Sequence, residues 1–138
     1  MTDYLIDANC LVSYYTDRSP EQHVIVDDLV SRATSLKFRL CIVPHVLSEV
    51  IYVLSRVYDV PSTRVSYMVE QTLATPGIDY LESHPLQRIL SLWPERVTEY
   101  GDAVLAAVAV ETNTPILTFD KAFARQLKRL EIPHEVPS

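Results

Sequence analysis

Glycine is nearly missing from this chain of 138 residues, with Gly77 and Gly101 as its only two. No Ser/Gly linker, low-complexity tract or internal repeat interrupts it, and its length suits one sizeable core, so residues 1–138 are expected to form a single domain. Cysteine is as scarce. Cys10 and Cys41 stand in apolar surroundings, with no C-x-x-C spacing and no histidine at zinc-finger intervals. Reduced, buried core cysteines are the expected reading. Long apolar runs are missing too: the longest, Ala103 to Val110, is less than half of the roughly 20 residues a bilayer-spanning helix requires. No membrane association is expected. The N-terminus lacks a basic segment leading into an apolar stretch, so no secretory signal is legible and a cytoplasmic setting is the expectation. Positive charge is in deficit, with 12 Lys and Arg against 18 Asp and Glu and a formal net charge of −6. That argues against a basic surface gripping duplex DNA through many phosphates. It leaves nucleic acid chemistry open, because clustered metal-binding acids make a protein acidic while bound cations reverse the local field.

What is present alternates. Tyr4-Leu5-Ile6 reads as a buried strand ending at Asp7-Ala8-Asn9, after which the chain turns helical. Pro20-Glu21 opens an amphipathic helix, and Leu40 to Val43 before Pro44 is a second strand. From His45 to Tyr58, Leu47, Val50, Ile51, Leu54 and Tyr58 recur at intervals of three and four, the mark of a helix with one buried stripe. A helix from Pro61 to about Leu73 stops at Thr75-Pro76-Gly77, and Ile78 to Leu81 is a third strand. Pro85 to Leu92 is helical, Ala103 to Val110 is a helix buried on most sides, and Pro115 to Phe119 is a fourth strand ending at Asp120. Lys121 to Leu130 is helical again, and Ile132 to Val136 offers an edge strand. Short apolar strands alternating with helices indicate a three-layer α/β/α fold on a central parallel sheet of four to five strands. Ligands bind such sheets beyond the carboxyl ends of the strands, where the strand order reverses.

Asp7 and Asp120 follow the first and fourth strands, and Asp102 begins the helix that leads into the fourth, so three acids converge on one edge. Glu49 lies one turn into the helix after the second strand, beside Val53 at the margin of its apolar face. Asn9 points the same way as Asp7 if the strand continues that far. Close carboxylates repel one another and take up protons unless a cation holds them. Their hard oxygens select Mg²⁺ or Mn²⁺, which suits phosphodiester hydrolysis. Each acid also has a plainer explanation. Asp102 and Asp120 both stand where a helix begins, so capping would account for either. Glu49 alone reads more readily as a solvated helix residue. Asp7 has no helix-initiation pattern at Ala8 or Asn9, so the functional reading is favoured there.

These strings resemble the PIN-domain family, and within it the VapC-type toxins of toxin-antitoxin pairs, over almost the whole chain. Tyr4-Leu5-Ile6-Asp7-Ala8-Asn9 looks like the family's opening strand and first acid. Val43-Pro44-His45-Val46-Leu47-Ser48-Glu49-Val50 resembles the passage carrying the second. Gly101-Asp102-Ala103-Val104-Leu105-Ala106-Ala107 resembles the segment with the third, and Ile116-Leu117-Thr118-Phe119-Asp120-Lys121-Ala122-Phe123 that with the fourth. The resemblance implies a five-stranded parallel sheet, Mg²⁺ or Mn²⁺ dependence, endonucleolytic cleavage of single-stranded RNA regions, dimerisation and an antitoxin partner. Asp7 and Asp102 would be the main metal ligands, Glu49 and Asp120 would complete the site, and Asn9 and Thr118 would assist as neutral partners. Glu99 is a lesser ligand candidate. Many relatives carry a further acid where this chain has Ala122, which leaves the number of ions open.

Arg18, Lys121 and Arg125 are candidates to contact RNA phosphates, and Tyr14 and Tyr15 either stack on unpaired bases or belong to the core. Tyr52 and Tyr67, with Val53, Val57 and Val65, form either a docking surface for a second copy or antitoxin or ordinary core. His23, His45, His84 and His134 are scattered and receive no role. Two rival functions stand beside the ribonuclease. One is a PIN-like module that binds RNA or protein without cutting. The other is a metal-dependent phosphatase, which would usually show Asp-x-Asp-Gly-Thr where this chain reads Asp7-Ala8-Asn9-Cys10-Leu11.

Overall fold

A computed structural model of the chain describes residues 2–138. Five strands, β1 (Thr2–Ile6), β2 (Phe38–Ile42), β3 (Ile78–Tyr80), β4 (Ile116–Leu117) and β5 (His134–Glu135), form one sheet in the order β3-β2-β1-β4-β5. Every neighbouring pair is parallel. Seven helices connect them: α1 (Ala8–Tyr15), α2 (Pro20–Thr34), α3 (Pro44–Arg56), α4 (Ser62–Leu73), α5 (Leu86–Leu92), α6 (Tyr100–Thr112) and α7 (Lys121–Arg129). Connections through α1 to α4 step toward β3, and those through α5 to α7 step back toward β5. Right-handed crossovers then lay the two sets of helices on opposite faces. Consecutive residues of the central strands, Leu5 with Ile6 and Leu40 to Ile42, are accordingly buried, as in a sheet covered on both sides.

Local signals account for the joints. Ser19 caps α2 by accepting a hydrogen bond from the Gln22 amide, and Pro20 follows at the position where its missing N–H costs least. Gly77 turns the chain from α4 into β3 at φ +85°, and a Cβ there would stand 2.0 Å from the Ala33 carbonyl oxygen. Only glycine fits that approach. Helix α6 is the centre of the core: Ala103 to Ala109 are all buried, which explains why its sequence carries no polar face. Both cysteines are buried and free. No helix among the described residues is long and apolar enough to cross a membrane.

The strand order reverses between β1 and β4. Leaving β1, the chain moves one way along the sheet; entering β4, it has come back across to the other side of β1. The carboxyl ends of these two strands flank the crevice where such folds bind ligands.

Candidate active site

Asp7 leaves β1 at that crevice and is buried, with 6% of its surface exposed. Its Oδ1 accepts a hydrogen bond from the Cys10 amide at 3.0 Å, which makes it the N-cap of α1. This corrects the reading that set Asp7 apart from a capping role because Ala8 and Asn9 show no helix-initiation pattern. The first turn carries no acidic residue or proline to announce it, and the aspartate that ends the strand is itself the start signal. The strand likewise stops at Ile6, so Asn9 lies in the first turn of α1 and is exposed rather than pointing along β1. Arg18 braces Asn9 there. Its Nη2 donates to the Asn9 carbonyl at 3.0 Å and its Nε to Ser13 Oγ at 3.0 Å.

Across the crevice, Asp120 follows β4 and caps α7, its Oδ1 accepting from the Phe123 amide at 3.0 Å. Thr118, fully buried, ties the two strand-end acids together. Its hydroxyl accepts from the Asp120 amide at 3.0 Å and hydrogen-bonds the Asp7 carboxylate. Burial raises the pKa of Asp7, and the bonds from Thr118 and Cys10 oppose that rise while the charge of Asp120 adds to it.

The remaining acids come from helices. Asp102 lies in the first turn of α6, but the N-cap is Glu99, so the helix begins before the apolar run and Asp102 caps nothing. The capping explanation for Asp102 is removed by that shift. Burial first, then the charges of Asp120, Asp7, Glu49 and Glu99, push the Asp102 carboxyl up to about 7. Glu49, on α3, is raised by burial and by Asp7. Its Oε1 lies 3.3 Å from His45 Nε2, one turn earlier on the same helix. Gly101 makes room for it, since a Cβ on Gly101 would stand 2.6 Å from Glu49 Oε1. Asp7, Glu49, Asp102 and Asp120 thus come from four different elements and feel one another's charge, and Glu99 stands at the edge of the group.

All the donors are hard carboxylate oxygens whose own repulsion favours protons, which is the condition a hard divalent cation relieves. Among the described residues no three His, Cys, Asp or Glu side chains stand as a ready-made metal cage. Magnesium does not require one. It typically takes one or two carboxylates and keeps waters and phosphate oxygens for the rest, so the donor set fits Mg²⁺ or Mn²⁺.

Of the other candidates, Lys121 and Arg125 are exposed on α7, starting beside Asp120. Tyr14 stacks on His23, with ring centroids 6.4 Å apart, and the Tyr15 hydroxyl meets Thr72 on α4, so both pack among helices. Tyr52, Val57 and Tyr67 are exposed on the α3–α4 side, whereas Val65 is buried. One grouping has no counterpart in the sequence pattern. His45, His84, Trp93 and Tyr100 pack as a cluster of rings with Tyr100 at its centre, and His45 brings it against Glu49. Its members come from four segments and carry no common spacing.

A three-layer α/β protein with acids gathered at the switch point of a parallel β3-β2-β1-β4-β5 sheet is the class that fold and site define. Within it, the chain belongs to the PIN-domain family, whose sequence profile matches residues 4–127. No curated protein sequence matches the chain. Solved structures share its fold at low identity. PAE2754 of Pyrobaculum aerophilum is 21% identical over 91% of this chain and 86% of its own, with a TM-score of 0.63. VapBC2 of Rickettsia felis, bound to a DNA fragment from its promoter, is 16% identical over 99% and 100%, at 0.71. VapC20 of Mycobacterium tuberculosis, a toxin cleaving the sarcin-ricin loop, is 16% identical over 88% and 93%, at 0.66.

Proposed function

We propose that this chain, acting as one PIN unit, is a divalent-metal-dependent endoribonuclease that hydrolyses phosphodiester bonds in single-stranded RNA regions, and that it is the toxin of a toxin-antitoxin pair. The observation that carries the reading is the convergence on the switch point of four carboxylates from four elements, close enough that the charges of the other three add to burial in pushing the Asp102 carboxyl up to about 7. Carboxylates that raise one another's pKa in a crevice mark a candidate functional site with a physical rationale. Family membership and the fold shared with VapC toxins support the same reading.

Asp7 and Asp102 are the main ligands of an Mg²⁺ or Mn²⁺ ion, and Glu49 and Asp120 complete the pocket. When bound, such an ion neutralises charge on the scissile phosphate and lowers the pKa of water. The protein's own part is positional. Asp7 is fixed by its cap bond and Thr118, and Asp120 by its cap bond, while Glu49 meets His45 and occupies the room that Gly101 leaves. Those constraints hold the oxygens in place before substrate arrives, which removes reorganisation from the reaction step. Lys121 and Arg125 offer phosphate contacts at the rim. The VapBC neighbours support an antitoxin partner, and exposed Tyr52, Val57 and Tyr67 offer an apolar surface for it or for a second copy.

Purified protein given single-stranded RNA and Mg²⁺ or Mn²⁺ should cut it, and Asp7→Asn should abolish the cutting. Equal cleavage by both proteins would defeat the proposal. Failure to bind millimolar Mg²⁺ or Mn²⁺ by calorimetry would favour a non-cutting module.

A further inference from the structure

Tyr100, half-buried at the start of α6, is surrounded by rings. The Trp93 ring meets it edge-on at 5.2 Å and 82°, His45 likewise at 5.4 Å and 77°, and His84 at 6.2 Å and 50°. The Tyr100 hydroxyl and His84 Nε2 are 3.0 Å apart, which fixes both rings. The outer rings remain open: Trp93 is 38% exposed and His84 is exposed. Scattered single aromatics at a surface need no explanation, but here four interlocking rings form one patch. The patch joins the acids on the Glu49 side. Glu49 is one turn from His45 with its carboxylate against that imidazole, and Gly101, next to Tyr100, leaves the space that this carboxylate occupies.

We propose that His45, His84, Trp93 and Tyr100 form a stacking platform that receives an unpaired RNA base of the nucleotide whose phosphate lies at Asp102 and Glu49. This role rests on the ribonuclease reading and names how that site holds its substrate. With a net charge of −6 and a site lined with carboxylates, the chain's own charges attract RNA phosphates weakly beyond the bound ion and the rim cations. Stacking needs no charge on the protein, and every base offers a π-face. It does require that the base be unpaired, since a base in a duplex has both faces covered. The platform therefore supplies both affinity and a physical reason for choosing single strands. Tyr100 is held between three rings, so little freedom is lost when a base settles on the outer ones.

Trp93 is the only tryptophan, so its fluorescence reports on the platform alone. Asp7→Asn protein, in chelator to prevent turnover, is titrated with a short unstructured RNA, with an abasic strand of the same backbone, and with a duplex. Saturable quenching by the single strand, with neither of the others matching it, is expected. Equal quenching by the abasic strand would mean that phosphates suffice and would overturn the platform. In steady-state cleavage, His84→Ala and Trp93→Ala should lower kcat/KM on the order of ten-fold, carried mainly by KM, and Trp93→Phe should recover most of it. Wild-type cleavage with unchanged KM in both alanine variants would overturn the platform and leave the ribonuclease standing. Absence of any wild-type cleavage would remove the ribonuclease, and the quenching titration would still decide whether the rings bind bases.

Discussion

The four acids of the crevice fall into two pairs that are held in different ways. Asp7 and Asp120 end strands, cap α1 and α7, and share Thr118 between them. Glu49 and Asp102 ride on helices whose N-caps are other residues, Val43 and Glu99. The strand pair thus has a folding duty besides any catalytic one, whereas for the helix pair no cap or strand-end role competes. The electrostatics follow the same division. Hydrogen bonds from Thr118 and Cys10 offset part of the burial cost at Asp7, but burial and every neighbouring carboxylate push Asp102 in one direction. Stability and activity should therefore separate on the helix side of the crevice and travel together on the strand side.

The largest effect tests the helix side. Asp102→Asn should reduce RNA cleavage by roughly a thousand-fold or more, since several kcal/mol of transition-state charge stabilisation is at stake. The same change should not lower stability. Asp102 has its pKa raised from 3.8 unfolded to about 7 folded, so between those values the folded chain binds the extra proton. Stability from this group is present at low pH and is lost as pH rises toward and through 7. Melting of the metal-free wild type should accordingly fall from pH 5 to pH 8. Asp102→Asn, which cannot ionise, should flatten that slope and melt higher than wild type at pH 8. A variant that is both inactive and less stable at pH 8 would erase the distinction between the pairs.

The strand side is tested at Asp120, with a smaller effect. Asp120→Ala removes the bond to the Phe123 amide and should cost about 1 kcal/mol, or about 4 °C in Tm, along with activity. Asp120→Asn retains a capping oxygen and should recover the stability while leaving cleavage impaired. If alanine and asparagine melt alike, the cap contributes nothing and Asp120 belongs with the helix pair.

This division is only partly legible in the sequence. The elements are plain, because apolar runs of strand length alternate with stripes of helical spacing, and proline, serine and glycine mark the joints. The sheet's parallel pairing follows from that alternation. What misleads is the meaning of a single aspartate. Ala8 and Asn9 carry no sign of helix initiation, which sets Asp7 apart from a capping role, yet the Asp7 carboxylate itself is the cap. The apolar run that starts at Ala103 makes Asp102 look like a cap, yet Tyr100 and Gly101 already belong to the helix. In both cases the outcome turns on a boundary shift of two or three residues, the least determinate feature of a local pattern. The ring cluster is not legible at all. His84 comes from the connection after β3 and Trp93 from the end of α5, and only the packing of α5 against α6 brings them to Tyr100.

The finest test of the comparison lies at Gly101, where helix and acid meet. Its backbone sits inside α6 with no left-handed conformation to protect, so alanine is acceptable to the helix and should be neutral or slightly stabilising by up to about 1 kcal/mol. The added Cβ would nevertheless stand 2.6 Å from Glu49 Oε1, closer than such atoms tolerate. The carboxylate is the far end of a flexible side chain, so it will swing aside rather than disturb the fold. Gly101→Ala should then cut several-fold more slowly with an unchanged or raised Tm, the signature of a displaced ligand on an intact scaffold. A drop in Tm without a change in cleavage would instead mean that glycine serves packing there and that Glu49 is not held by the space it leaves.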